Sequence, residues 1–435
     1  MSEAYPDRSI VLHIGPHKTG TTTIQNALWH SAEPLRAHGV AYPGRMAHEM
    51  DPAMAVALER VDAGKNFDLH RRYWDEMLTE LKAPDTRVGV LSSEFYAEAS
   101  DARIAWLLEQ LGPTTEVVIT LRPLARILPS QWQQYVQNGL RLSYESWLHN
   151  ALDDPDARQV RPSFWARHRH DRLVRRWAAL AGVERVTVVV VDERDPASLP
   201  GVFERLLGVP AGTIVAHDNS RNRSLTFDEA EMVRAFNEQH AEEMTSADYD
   251  RFIRFGAVRE LQARPRHPDD QQVLTPDWAI DRASELGAGF AEQIRATGVR
   301  VIGSLETLHD SALVPAHGRN APSRGVDITA AAALVAGVVN RLAGVPGSPE
   351  VRPRAGGVER EVWRRHRLVN HLSRPGWEQQ LRVEQDDLRR ATGADVDADS
   401  ATRAQVLGEL ARRVRARVRR RRRGHDEAGP GTAGQ

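Results

Sequence analysis

The chain contains no cysteine, which removes disulfides, thiolate metal sites and cysteine nucleophiles together. Lysine is almost as scarce. Only Lys18, Lys65 and Lys82 occur among 58 Lys and Arg, so a lysine in a chemically suggestive setting is more informative than any arginine. No apolar run reaches the roughly 18 residues that a spanning helix needs. Ile328 to Val339, a largely apolar run of 12 residues, reads as a core or packing helix. The opening Met1–Asp7 carries two acids and no apolar stretch, unlike a secretory leader. A cytoplasmic location is therefore expected. At 41% hydrophobic and 27% charged, the composition excludes collagen-like and wholly disordered chains, and 435 residues allow two or three domains.

The net charge of −1 conceals an asymmetry. Residues 351–435 hold 20 basic against 12 acidic side chains, leaving 38 basic against 47 acidic in residues 1–350. The tail, with its Arg412–Arg423 cluster, reads as a basic helical extension with a polar end. Contact between that tail and an anionic membrane is one expectation, and nucleic-acid binding a weaker one.

Short apolar runs alternate with helical patterns. Arg8–Ile14, Arg87–Glu94, Glu116–Leu121 and Arg185–Asp192 read as strands, the last as one covered on both faces. Helical spacing follows at Thr21–Trp29, Ala102–Leu111, Pro123–Gln137, Val202–Leu207 and Ala283–Ile294, and Thr226–Glu229 fits a capping box. Residues 31–85 show no sharp pattern. This alternation predicts an α/β fold, a parallel central sheet flanked by helices, over residues 8–310. An apolar helix with a Pro/Gly-rich linker is expected over 311–356, and the basic extension over 357–435.

The chemistry concentrates in Gly15-Pro16-His17-Lys18-Thr19-Gly20-Thr21-Thr22-Thr23, between a strand and a helix. Unsatisfied amides and the positive dipole end of a helix favour an anion there. Gly20 permits close approach, the three threonines add hydroxyls, and Lys18 adds a charge. Gly15 and Gly20 have Walker A spacing, but Thr21 stands where that motif needs lysine. A P-loop kinase or NTPase is thus the poorer alternative.

His13-Ile14-Gly15-Pro16-His17-Lys18-Thr19-Gly20-Thr21-Thr22 instead resembles the 5′-phosphosulfate loop of sulfotransferases that use 3′-phosphoadenosine 5′-phosphosulfate (PAPS). A second stretch supports the resemblance. Arg122 closes the third strand and Ser130 lies eight residues on, the family's arrangement for the 3′-phosphate, and an arginine fork matches a phosphate in shape. Arg221 or Arg223 stands where the family closes a basic loop over the nucleotide.

The resemblance implies a sulfotransferase moving a sulfuryl group in line from PAPS to a hydroxyl or amine, without a metal. Lys18 would stabilise the leaving oxygen. Thr19, Gly20, Thr21, Thr22 and Thr23 would hold the 5′ end, and Arg122, Ser130 and Arg223 the 3′-phosphate. Glu94, at the end of the second strand, is the expected general base, because sites form beyond the carboxyl ends of parallel strands. His13, inside an apolar strand, and His17, in the loop, are lesser candidates. The acceptor class is a small molecule, carbohydrate or glycolipid. Trp74, Tyr96, Trp132, Tyr135 and Trp165 read as core more than as acceptor lining.

Overall fold

The strand-forming runs lie side by side in one six-stranded parallel sheet of order β2-β3-β1-β4-β5-β6. The computed structural model describes residues 3–61, 65–153, 162–192, 194, 198–215, 223–267, 270–314, 316–321, 325 and 327–342. The expected basic extension, the Pro/Gly-rich linker before it, and Arg221 lie outside the described residues.

The strands are β1 (Ser9–Ile14), β2 (Val40–Ala41), β3 (Val88–Ser92), β4 (Thr115–Leu121), β5 (Val186–Val190) and β6 (Arg300–Ile302). The period of two is visible in their packing. Ile10, Leu12 and Ile14 enter one apolar cluster with Val117, Ile119 and Leu121, while Val11 and Val118 enter the cluster on the opposite face. Each such side chain contributes about 1.5–3 kcal/mol on full burial. Both faces are covered, which is why these runs are continuously apolar rather than alternating.

Helices α1 (Thr21–His30) and α2 (Ala32–Ala37) connect β1 to β2, and α3 (Met50–Ala57) and α4 (Phe67–Leu81) connect β2 to β3. A 3₁₀ turn (Glu94–Glu98) and α5 (Asp101–Leu111) follow, leading to β4. After β4 come α6 (Leu124–Gln137), α7 (Tyr144–Leu152), α8 (Pro162–His168) and α9 (His170–Ala181), then β5 and α10 (Ser198–Leu207). Farther on, α11 (Phe227–His240) starts at the capping box expected at Thr226 and Glu229. The π-helical stretch Tyr249–Ala257, α12 (Val258–Ala263), α13 (Asp277–Thr297) and α14 (Ile328–Leu342) lie beyond it. A second, largely helical core forms between α6, α7, α8, α11 and α13, and Ala330 of α14 is buried in it. Gly256 and Gly337 meet backbone to backbone; a Cβ on Gly337 would stand 2.4 Å from the Gly256 carbonyl oxygen.

The topology locates a site. From β1 the chain crosses to β2 and returns to β3 on one side, then passes to β4 on the other. Strand order therefore reverses beside β1, at the carboxyl ends where open α/β sheets bind ligands.

Candidate active site

Residues 15–20 leave β1 at that reversal. Lys18 has φ 71° and Gly20 φ 91°, two left-handed residues that turn the chain into α1. The glycine is free to do so; the lysine carries strain of about 1–3 kcal/mol. Gly20 is the N-cap of α1 and supplies no side-chain cap, and the first turn holds no acid. The first amides of α1 are thus without a side-chain acceptor at the N-cap, as an anion site requires. Thr21 is buried, and its Oγ1 has no partner among the described residues. Thr22 and Thr23 are exposed on the same turn.

Lys18 is held at both ends. Its Nζ donates to Oε1 of Gln134 on α6 at 3.3 Å, and its carbonyl accepts from Arg122 Nη1 at 3.1 Å. Burial lowers its pKa below the ordinary lysine value, while the Glu94 carboxylate nearby opposes that shift. The strand β3 ends at Ser92, two residues short of Glu94, which opens the 3₁₀ turn capped by Ser93.

Arg122 follows β4, and Ser130 lies on α6. Pro129 is inside that helix without ending it, although it has no N–H to offer the Ala125 carbonyl. Both Arg122 and Ser130 line one cavity of about 200 Å³, together with Arg126, Gln133, Ser224 and Arg266. Ser130 Oγ donates to the Ile127 carbonyl at 2.9 Å. Arg223 is turned elsewhere. It makes a two-pronged ion pair with the buried Glu229, Nη2 to Oε1 at 2.7 Å and Nη1 to Oε2 at 2.8 Å. Arg264 also pairs with Glu229 and with Asp270, which fixes the segment carrying Arg266. Sequence reasoning misses Arg126, Gln134 and Arg266. Arg126 lies in the first turn of α6, four residues after Arg122 in sequence.

The histidines divide. His17 Nε2 approaches Glu98 Oε1 at 2.9 Å, and Arg167 Nε donates to the same oxygen at 2.9 Å. These partners hold the Glu98 carboxyl below its usual range, against the effect of burial. His13 is fully buried with both ring nitrogens hydrogen-bonded, to Ser92 Oγ at 2.7 Å and Thr120 Oγ1 at 3.1 Å. Burial lowers its pKa to about 3. His170 is lowered to about 4 and His168 well below the ordinary value, again by burial. The five aromatic residues expected in the core are buried there.

These rings give a pH prediction. Between about pH 4 and 6.5 the unfolded chain binds protons that the folded chain refuses, so stability falls as pH drops through that window. A tenfold loss of proton affinity on folding is worth about 1.4 kcal/mol. The Tm measured by calorimetry is expected to fall by about 10 °C or more from pH 7 to pH 4.5. A flat Tm would show that these rings are not held neutral.

Comparison with known proteins adds little. No family model matches the chain, and no curated protein does. One solved structure, a sulfotransferase from Alicyclobacillus acidocaldarius, overlaps 69% of this chain and 98% of its own at 16% identity, with a TM-score of 0.36. A match of so low a TM-score and identity says nothing by itself about activity. Among the described residues, no helix is long and apolar enough to cross a membrane.

Proposed function

We propose that the protein transfers a sulfuryl group from PAPS to a hydroxyl or amine of an acceptor. One observation carries the reading: Arg122 donates to the carbonyl of Lys18, joining two motifs 104 residues apart at the carboxyl ends of β1 and β4. A loop suited to one anion and an arginine-lined cavity suited to another thereby share a wall, as a donor charged at both ends requires.

Orphaned Thr21 Oγ1 and the N-terminal amides of α1 suit the 5′-phosphate. Arg122, Arg126, Ser130 and Arg266 suit the 3′-phosphate. The bond between sulfur and the bridging oxygen breaks as the acceptor oxygen or nitrogen bonds to sulfur. Lys18 stabilises the charge gathering on the bridging oxygen, which leaves on adenosine 3′,5′-bisphosphate. Glu94 takes the acceptor's proton. Catalysis is then mainly alignment and charge stabilisation, as in phosphoryl transfer.

A screen of hydroxyl- and amine-bearing acceptors with radiolabelled PAPS tests the reading. Label should pass to at least one acceptor, and about a hundred- to a thousandfold more slowly with Lys18→Ala. Magnesium-dependent turnover of ATP in its place would favour a kinase. With the acceptor in hand, Glu94→Gln should lower kcat by about a hundredfold, with a smaller effect on the KM for PAPS. Near-normal turnover at every pH would place the base elsewhere.

A further inference from the structure

The hydrogen bonds around His13 have only one consistent direction. Thr19 Oγ1 lies 2.8 Å from the Pro16 carbonyl oxygen, which can only accept, so the single Thr19 hydroxyl proton is committed there. Thr19 Oγ1 and Thr120 Oγ1 are 3.2 Å apart, so Thr120 must be the donor of that pair. With its own proton used, Thr120 Oγ1 accepts from His13 Nε2–H. His13 Nδ1 is then bare and accepts from the Ser92 hydroxyl. The chain runs from Ser92 through His13, Thr120 and Thr19 to Pro16, and no proton in it is left to choice. Ser92, His13 and Thr120 come from three adjacent strands, β3, β1 and β4. All four side chains are buried. His13, kept neutral by that burial, can be donor at one nitrogen and acceptor at the other; an imidazolium could not accept from Ser92.

The far end of this chain is the donor loop. Thr19 sits between Lys18 and Gly20, the two left-handed residues, so anchoring Thr19 holds the strained lysine backbone in place. The hydroxyls gather beneath Gly15: a Cβ there would lie 2.4 Å from Thr120 Oγ1 and 2.7 Å from both Thr19 Oγ1 and Thr21 Oγ1. We propose that His13 is a positioning residue that fixes the direction of this chain and thereby sets the loop geometry for the 5′ end of the donor. The proposal rests on the donor reading above. It separates His13 from proton transfer to substrate, since its ring is sealed from solvent.

Two nucleotides separate the alternatives. Adenosine 3′,5′-bisphosphate would engage loop and cavity, while adenosine 3′-monophosphate would engage the cavity alone. Thr120→Val keeps the shape but breaks the chain at its midpoint, and Thr120→Ser restores it. By calorimetry, Thr120→Val should raise the Kd for the bisphosphate about tenfold, the worth of one good hydrogen bond of about 1.4 kcal/mol. The monophosphate Kd should stay within about twofold, and Thr120→Ser should bind both as wild type does. Should Thr120→Val not fold, Ser92→Ala cuts the chain at its outer end and should produce the same split with smaller size. Equal weakening of both nucleotides, or no change in either, overturns the positioning role. Wild-type protein that binds no bisphosphate overturns the donor reading itself, and this proposal with it.

Discussion

Lys18→Ala is expected to lower turnover by about a hundred- to a thousandfold, the usual cost of removing one donor from a developing charge. The loss should appear in kcat, with folding intact, since among the described residues the Lys18 side chain hydrogen-bonds only to Gln134. Lys18→Arg should not restore the rate, because a forked guanidinium does not replace a point charge on one oxygen. In wild type, the rate should fall on the alkaline side before an ordinary lysine would titrate, because burial lowers the Lys18 pKa and the proposed mechanism needs the protonated amine. Pre-steady-state kinetics with PAPS and an identified acceptor would measure this directly. Full activity in Lys18→Ala would remove the lysine from the mechanism.

Arg122→Ala is expected to weaken binding of adenosine 3′,5′-bisphosphate by about a hundredfold, corresponding to about 2.7 kcal/mol. Two losses combine there. The cavity loses a guanidinium, and the Lys18 carbonyl loses its donor. Arg223→Ala makes the contrast. Its guanidinium serves Glu229 and the carbonyls of Leu261 and Arg264, so its removal should appear chiefly as a Tm lower by about 5–10 °C. A calorimetric titration beside a thermal melt for each variant separates the two effects. Equal nucleotide affinity in Arg122→Ala and wild type would detach the cavity from the donor.

The parts legible in the sequence are those whose burial is uniform. Val117–Leu121 and Val186–Val190 are covered on both faces, and their β-branched runs announce strands without regard to context. The Gly15–Thr23 loop is equally plain, because its chemistry is local. By contrast, α4 buries only Trp74, Met77 and Leu81 among 15 residues, too thin a stripe to stand out in a polar segment. The two-residue β2 has no periodicity to read. Among arginines the difficulty is different in kind. In a chain with three lysines, arginine is the default cation, and nothing local distinguishes Arg223, paired with Glu229, from Arg266, which lines the cavity. Only tertiary partners decide that. His13 shows the same limit: an apolar strand predicts its burial, but not the hydroxyls from two neighbouring strands that use both its nitrogens.

The most direct test of the account is a competition between two nucleotides for the wild-type protein. Adenosine 3′,5′-bisphosphate, titrated calorimetrically without metal, should bind with one site per chain and at least about tenfold more tightly than ATP with magnesium. Tighter binding of magnesium-ATP, or no heat from the bisphosphate, would contradict the claim that loop and cavity hold the two ends of one sulfuryl donor.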